Sequence, residues 1–139
     1  APIVAAYRNH CPTASPVEHR PTMAGGLSMP NPGDLGDLTL QAIRESGGAA
    51  VAVTENEIVW GMRALWEEGI FSEPTGAVTI PALRRLMEQD IIRREDTVVC
   101  IVTGTGFKDL HSLKEQVRVP RPVPATLSAL EEVTRRILE

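Results

Sequence analysis

Aromatic residues are scarce, 4% of the 139-residue chain, so aliphatic side chains must build most of its core. Cysteine is scarce too. Cys11 lies in a proline-punctuated loop, and Cys100 lies inside an apolar run, where a thiol behaves as a small buried hydrophobe. Two cysteines so separated do not read as a structural disulfide, and a reducing cytoplasm is the expected compartment. No apolar run approaches the roughly 20 residues that span a bilayer. A basic stretch followed by a long apolar one, the mark of a secretory leader, is also missing from the first residues. There is no excess of positive charge: the formal net charge is −4, which offers no electrostatic reason to bind nucleic acid or an anionic membrane. Lysine occurs only at Lys108 and Lys114.

What remains is ordinary globular material. Apolar residues make up 42%, and the length suits a single core. The chain opens Ala1-Pro2-Ile3 without an initiator methionine, which reads as the middle of a longer polypeptide or a processed product. Proline in a first turn favours a short helix over residues 2–9. Breakers dominate residues 10–33, a loop long enough to be functional or flexible. Leu35, Leu38, Ala42 and Ile43 then keep helical spacing, with Asp34 as N-cap and Gly47-Gly48 as a left-handed stop. Residues 49–53 read as a short buried strand. Thr54 and Glu57 form a capping box for a helix whose apolar stripe is Ile58, Val59, Met62, Leu65 and Trp66, ended by Gly69. A third helical pattern holds Val78, Leu83, Leu86 and Met87, and Pro81 should kink it or delay its start. Residues 97–102, Thr-Val-Val-Cys-Ile-Val, read as a strand buried on both faces. A basic, proline-rich connector from Lys114 to Pro124 leads to a last helix from about Thr126, with Leu127, Leu130, Val133, Ile137 and Leu138 on one face. Strands separated by helices imply parallel neighbours, so the expected fold class is α/β, a partial three-layer sandwich of parallel strands flanked by helices.

Several short constellations are candidates for chemistry. His10, Cys11 and His19 match no strong zinc spacing and lack a fourth ligand, so solvated loop residues are the simpler reading. Gly104-Thr105-Gly106 has neither the Walker nor the dinucleotide spacing, yet a hydroxyl at Thr103 between an apolar run and two glycines is placed for ligand contact. Glu73-Pro74-Thr75-Gly76 is compatible with plain helix capping or with a site. Gly25-Gly26 permits a turn or the close approach of a planar ligand. No serine, histidine and aspartate or cysteine and histidine arrangement has a local signature here.

In order, Thr22-Met23-Ala24-Gly25-Gly26-Leu27, Gly36-Asp37, Ala42 to Gly48, Val51-Ala52-Val53-Thr54 with Glu57-Ile58, Glu68-Gly69-Ile70-Phe71, Glu73-Pro74-Thr75-Gly76-Ala77 and Val102 to Asp109 form a more specific series. This series resembles the C-terminal portion of the threonine synthase family, pyridoxal-phosphate enzymes of fold type II. The resemblance runs from Ala1 to about Asp109 and is weakest after Leu113. It implies conversion of O-phosphohomoserine and water to threonine and phosphate by replacement, with the cofactor as electron sink. It also implies the cofactor-contacting residues. Thr103 matches the ring-nitrogen partner, with Gly104 beside it, Gly25 and Gly26 match a segment lining the cofactor, and Glu73 matches the start of a helix near the site. Serine/threonine dehydratases usually have Ser-Gly-Gly after the final strand, whereas this chain has Thr103-Gly104-Thr105-Gly106; a hydroxyl would serve either enzyme's ring nitrogen, so a dehydratase-like lyase is the alternative within the family.

The family's Schiff-base lysine and phosphate-cradling loop lie in its N-terminal half. Neither Lys108 nor Lys114 stands in the lysine's motif, and Pro81 interrupts a helix usually continuous in the family. The expectation is therefore a C-terminal part, residues 1–113 of a cofactor-binding domain and 114–139 a connector and helix, with no catalytic residue of its own and inactive alone. Its partners would be the N-terminal half of the enzyme or a second copy, and an amino-acid substrate. The rival reading is a non-catalytic, self-associating module that binds a metabolite or partner subunit.

Overall fold

The computed structural model describes residues 1–114, 116–117 and 122–138. Its helices are α1 (Pro2–Arg8), α2 (Gly33–Glu45), α3 (Glu55–Glu67), α4 (Pro74–Ala77), α5 (Thr79–Glu88), α6 (Leu110–Leu113) and α7 (Leu127–Leu138). Single 3-10 turns occupy Gly25–Leu27 and Gly106–Lys108.

The expected α/β sandwich of parallel strands is overturned. Among the described residues there is no strand or sheet, and one isolated antiparallel bridge joins Ser72 to Thr105. The physical reason is that an apolar run becomes a strand only when a neighbour completes its hydrogen-bond ladder. Residues 49–53 and 97–102 exchange no backbone hydrogen bond with any described residue. The second run is not buried on both faces either: Val99 is 83% exposed and Ile101 70%. Cys100 is half-buried rather than buried, and neither cysteine is in a disulfide.

The helix boundaries follow local chemistry more closely. Pro2 stands in the first turn of α1. In α2 the cap differs from expectation: Pro32 takes the N-cap position without a side-chain bond, and Asp34 sits in the first turn, where its charge complements the helix dipole. The glycines after α2 and α3, Gly47 at φ 66° and Gly69 at φ 79°, adopt the left-handed conformation that stops both helices. The capping box on α3 is complete. Thr54 accepts from the Glu57 backbone N–H, and the Glu57 carboxylate accepts from the Thr54 N–H at 2.6 Å. Pro81 accompanies an interruption of the third helical pattern. It lies in the first turn of α5, after a break at Val78 that separates α4 from α5.

Two apolar clusters form the core. Ala6, Ala14 and Leu40 join α1 to α2, with Ile3 and Tyr7 at the edge. Met62, Leu65, Ala77 and Leu113 join α3, α4 and α6, with Met23, Val59, Trp66, Phe71, Ile80 and Val102 packed around them. Gly61 lets α3 approach closely, since a Cβ there would stand 2.7 Å from Pro81 Cδ and 2.9 Å from the Ala77 carbonyl oxygen. On α7, Leu127 and Leu130 are exposed. The side chains of Ile137 and Leu138, and connector residues 115 and 118–121, lie outside the described residues. No helix among the described residues is long and apolar enough to cross a membrane.

Candidate functional site

Residues 71–76 bring the scattered site residues together. Pro74 is fully buried at the start of α4, where its fixed φ suits a first helical turn. Just before it, the chain runs beside residues 104–106. The Phe71 carbonyl accepts the Gly106 N–H at 2.8 Å and the Thr105 hydroxyl at 3.3 Å. The Glu73 N–H donates to the Gly104 carbonyl at 3.1 Å. The Phe71 ring lies 5.5 Å from Trp66 and 5.0 Å from Phe107, the second contact edge to face, a favoured aromatic geometry. It also excludes any side chain at position 106, where a Cβ would lie 2.7 Å from the ring.

Glycines keep the other contacts close. A Cβ on Gly76 would be 3.2 Å from the Thr103 nitrogen, so α4 rests directly on the backbone of the Thr103-Gly104 loop. The Glu73 carboxylate lies against Gly104, where an added Cβ would be 2.0 Å from its Oε1. On the other side, the Gly26 N–H donates to Thr75 Oγ1 at 3.1 Å. Thus Gly26, Thr103 and Gly104 all converge on the one short segment that carries Glu73. Gly25 stands beside them in open space, with no heavy atom within 4 Å of an added Cβ. The Thr103 hydroxyl is on an exposed residue and makes no hydrogen bond among the described residues. The fully buried Ser72 hydroxyl is also unpartnered among them.

Support comes from α3 and α5. The Glu57 carboxylate takes a two-pronged hydrogen bond from Arg85, Nε at 2.8 Å and Nη2 at 2.9 Å. These bonds, then those from Thr54, hold the Glu57 pKa down to about 2. The Glu57 carboxylate in turn raises the Arg85 pKa. Glu55 Oε2 accepts the Met23 N–H at 2.9 Å and so ties the segment before Gly25 to α3. Downstream, Asp109 caps α6 by accepting from the Ser112 N–H, and hydrogen bonding from the Ser112 side chain, then from this N–H, holds its pKa below the ordinary value.

An open groove of about 840 Å³ is lined in part by Thr22, Ala24, Leu27, Val53 and Ile58. It flanks the Gly25 segment, but Glu73 and Thr103 are not in its lining. His19 instead lies 3.1 Å from the Ser28 hydroxyl. Among the described residues no group of three His, Cys, Asp or Glu side chains could hold a metal.

Sequence reasoning missed Thr75 as the link to Gly26 and Phe71 as the template for residues 105–106. Chemically, the assembled surface offers an unengaged hydroxyl, a nearby carboxylate and side-chain-free backbone that a planar ligand could approach.

The family model described as "Pyridoxal-phosphate dependent enzyme" matches residues 1–104. The threonine synthase of Methanosarcina acetivorans is 38% identical over 132 residues, covering 94% of this chain and 32% of that protein. That of Methanocaldococcus jannaschii is 35% identical over 137 residues, 98% of this chain and 34% of that protein. That of Mycobacterium tuberculosis H37Rv is 30% identical over 118 residues, 84% and 32% respectively. The chain spans about a third of the length of these relatives.

Proposed function

Because the chain belongs to the family of pyridoxal-phosphate dependent enzymes, we propose that its surface around residues 71–76 is one wall of a cofactor site in a threonine synthase-like enzyme. The observation that carries this reading is the convergence of Gly26 and Thr103-Gly104 on a single segment. The residues fit the ring side of the cofactor. Thr103 brings a neutral hydroxyl with no competing partner among the described residues, suited to a pyridine nitrogen. Gly25 leaves its backbone open to a flat ring, Gly26 holds the same turn against Thr75, Gly104 admits the Glu73 carboxylate, and Glu73 borders the loop. When bound, the cofactor supplies an electron sink for carbanions at amino-acid carbons.

The chain's own residues hold and orient. In this reading Thr103 sets the ring nitrogen's hydrogen bond, and a neutral partner there leaves that nitrogen largely unprotonated. The glycines set how near the ring approaches. The anchoring lysine and the phosphate loop belong to the family's N-terminal half, so residues 1–139 by themselves do not turn over O-phosphohomoserine. Residues 1–113 act as the cofactor-binding part, with 114–139 as connector and terminal helix, in a reducing cytoplasm.

The test is titration of the 139-residue chain with pyridoxal phosphate. Amide NMR shifts should move at Thr103 and Gly104, reversibly, and borohydride should trap no adduct on Lys108. Silence at both residues overturns the reading, as does a trapped adduct that Lys108→Ala removes. A second reading, a non-catalytic module that pairs with its own copies, is favoured by the exposed Val99 and Ile101. Sedimentation separates the two: a tight homo-oligomer indifferent to pyridoxal phosphate would favour the module.

A further inference from the structure

We infer that Thr75 is a positioning residue for the cofactor wall, holding Gly25-Gly26 in register with Thr103-Gly104; this rests on the cofactor reading above. The 3-10 turn over Gly25–Leu27 uses the Leu27 N–H on the Ala24 carbonyl and the Ser28 N–H on the Gly25 carbonyl. The Gly26 N–H has no backbone acceptor in this turn, and Thr75 Oγ1 at 3.1 Å is what it reaches. The contact is tight as well as polar: a Cβ on Gly26 would meet Thr75 Cγ2 at 2.9 Å and Oγ1 at 3.0 Å.

Thr75 is well placed for this task. Its β-branched side chain is stiff at χ1, so the hydroxyl direction follows from the backbone. That backbone is fixed on both sides, by fully buried Pro74 and by Gly76 lying against the Thr103 and Gly104 nitrogens. One residue therefore touches the Gly26 segment while its neighbour touches the Thr103 loop. Neither segment is otherwise tied to the other by a hydrogen bond among the described residues. Thr75 touches no reacting atom in this scheme; it acts through Gly26.

The experiment compares the unsubstituted chain, Thr75→Val and Thr75→Ser by solvent-exchange and amide-shift NMR. Valine keeps the branched shape and removes the acceptor, whereas serine keeps the acceptor. Loss of one hydrogen bond should speed Gly26 amide exchange by roughly threefold to tenfold in Thr75→Val, with near-normal exchange in Thr75→Ser. On titration with pyridoxal phosphate, Gly25, Gly26, Thr103 and Gly104 should respond together in the unsubstituted chain and Thr75→Ser. In Thr75→Val the Thr103 and Gly104 response should persist, while that of Gly25 and Gly26 weakens several-fold. Unchanged Gly26 exchange in Thr75→Val overturns the inference without touching the cofactor reading. So does an undiminished Gly25 and Gly26 response. If none of the four amides responds in the unsubstituted chain, the cofactor reading falls and this role falls with it.

Discussion

Gly61→Ala sets two effects of opposite sign against each other, and the structure decides between them. Gly61 lies inside α3, where alanine is the better helix former by about 0.8–1 kcal/mol. On propensity alone the substitution stabilises. The new methyl, however, would stand 2.7 Å from Pro81 Cδ and 2.9 Å from the Ala77 carbonyl oxygen, well inside ordinary contact. Neither atom is the free end of a flexible chain: one belongs to a ring in the first turn of α5, the other to the backbone at the end of α4. Relief therefore requires α3 to back away from the α4–α5 junction, and overpacking of this kind costs typically about 1–3 kcal/mol. The steric term wins, for a net loss of up to about 2 kcal/mol. With a urea slope of roughly 2 kcal/mol/M, a loss of about 1 kcal/mol lowers the midpoint followed by far-ultraviolet circular dichroism by about 0.5 M. Adding Pro81→Ala should recover part of the loss, giving a favourable coupling in the double-mutant cycle. A midpoint that rises in Gly61→Ala would refute the close crossing of α3 on Pro81.

Two further outcomes follow from the same geometry. Glu57 has its pKa lowered from 4.5 to about 2, so its contribution is present above about pH 4.5 and lost as pH falls toward 2. Urea midpoints of the unsubstituted chain and Glu57→Gln should differ most at neutral pH and converge only as pH approaches about 2; parallel curves would remove Glu57 from that account. Gly104→Ala puts a methyl 2.0 Å from Glu73 Oε1, but a carboxylate on a flexible stem can swing aside. Stability should change by less than about 1 kcal/mol, while reversible pyridoxal phosphate binding, read at the Thr103 amide, weakens several-fold; unaltered binding would exclude Gly104 from the site.

Features decided within a few residues were legible in the sequence. The Thr54–Glu57 capping box needs only four residues, and Gly47 and Gly69 stop their helices because glycine accepts positive φ at little cost. Residues 97–102 have strand-like composition, but a strand also needs a partner, and that information is not local. The same limit hid Thr75. Its hydroxyl looks like ordinary capping chemistry in Glu73-Pro74-Thr75-Gly76, and its acceptor role depends on Gly26, 49 residues away. Glu57 concealed a second job for the same reason: its cap on α3 is local, whereas its bonds to Arg85 join α3 to α5.

The site segments also share a logic of attachment. Each places an apolar side chain on the same core cluster within two residues of its site residue. Met23 precedes Gly25 by two, Phe71 precedes Glu73 by two, and Val102 immediately precedes Thr103. All three pack around Met62, Leu65, Ala77 and Leu113. Burial thus fixes where each segment leaves the core, to the tolerance of close-packed side chains. What burial cannot set is the direction of the exposed backbone beyond each anchor, because apolar contact is non-directional. The hydrogen bonds of Phe71, Glu73 and Thr75 supply that direction. The core therefore brings the pieces to one place, and a few polar contacts on residues 71–75 orient them relative to one another.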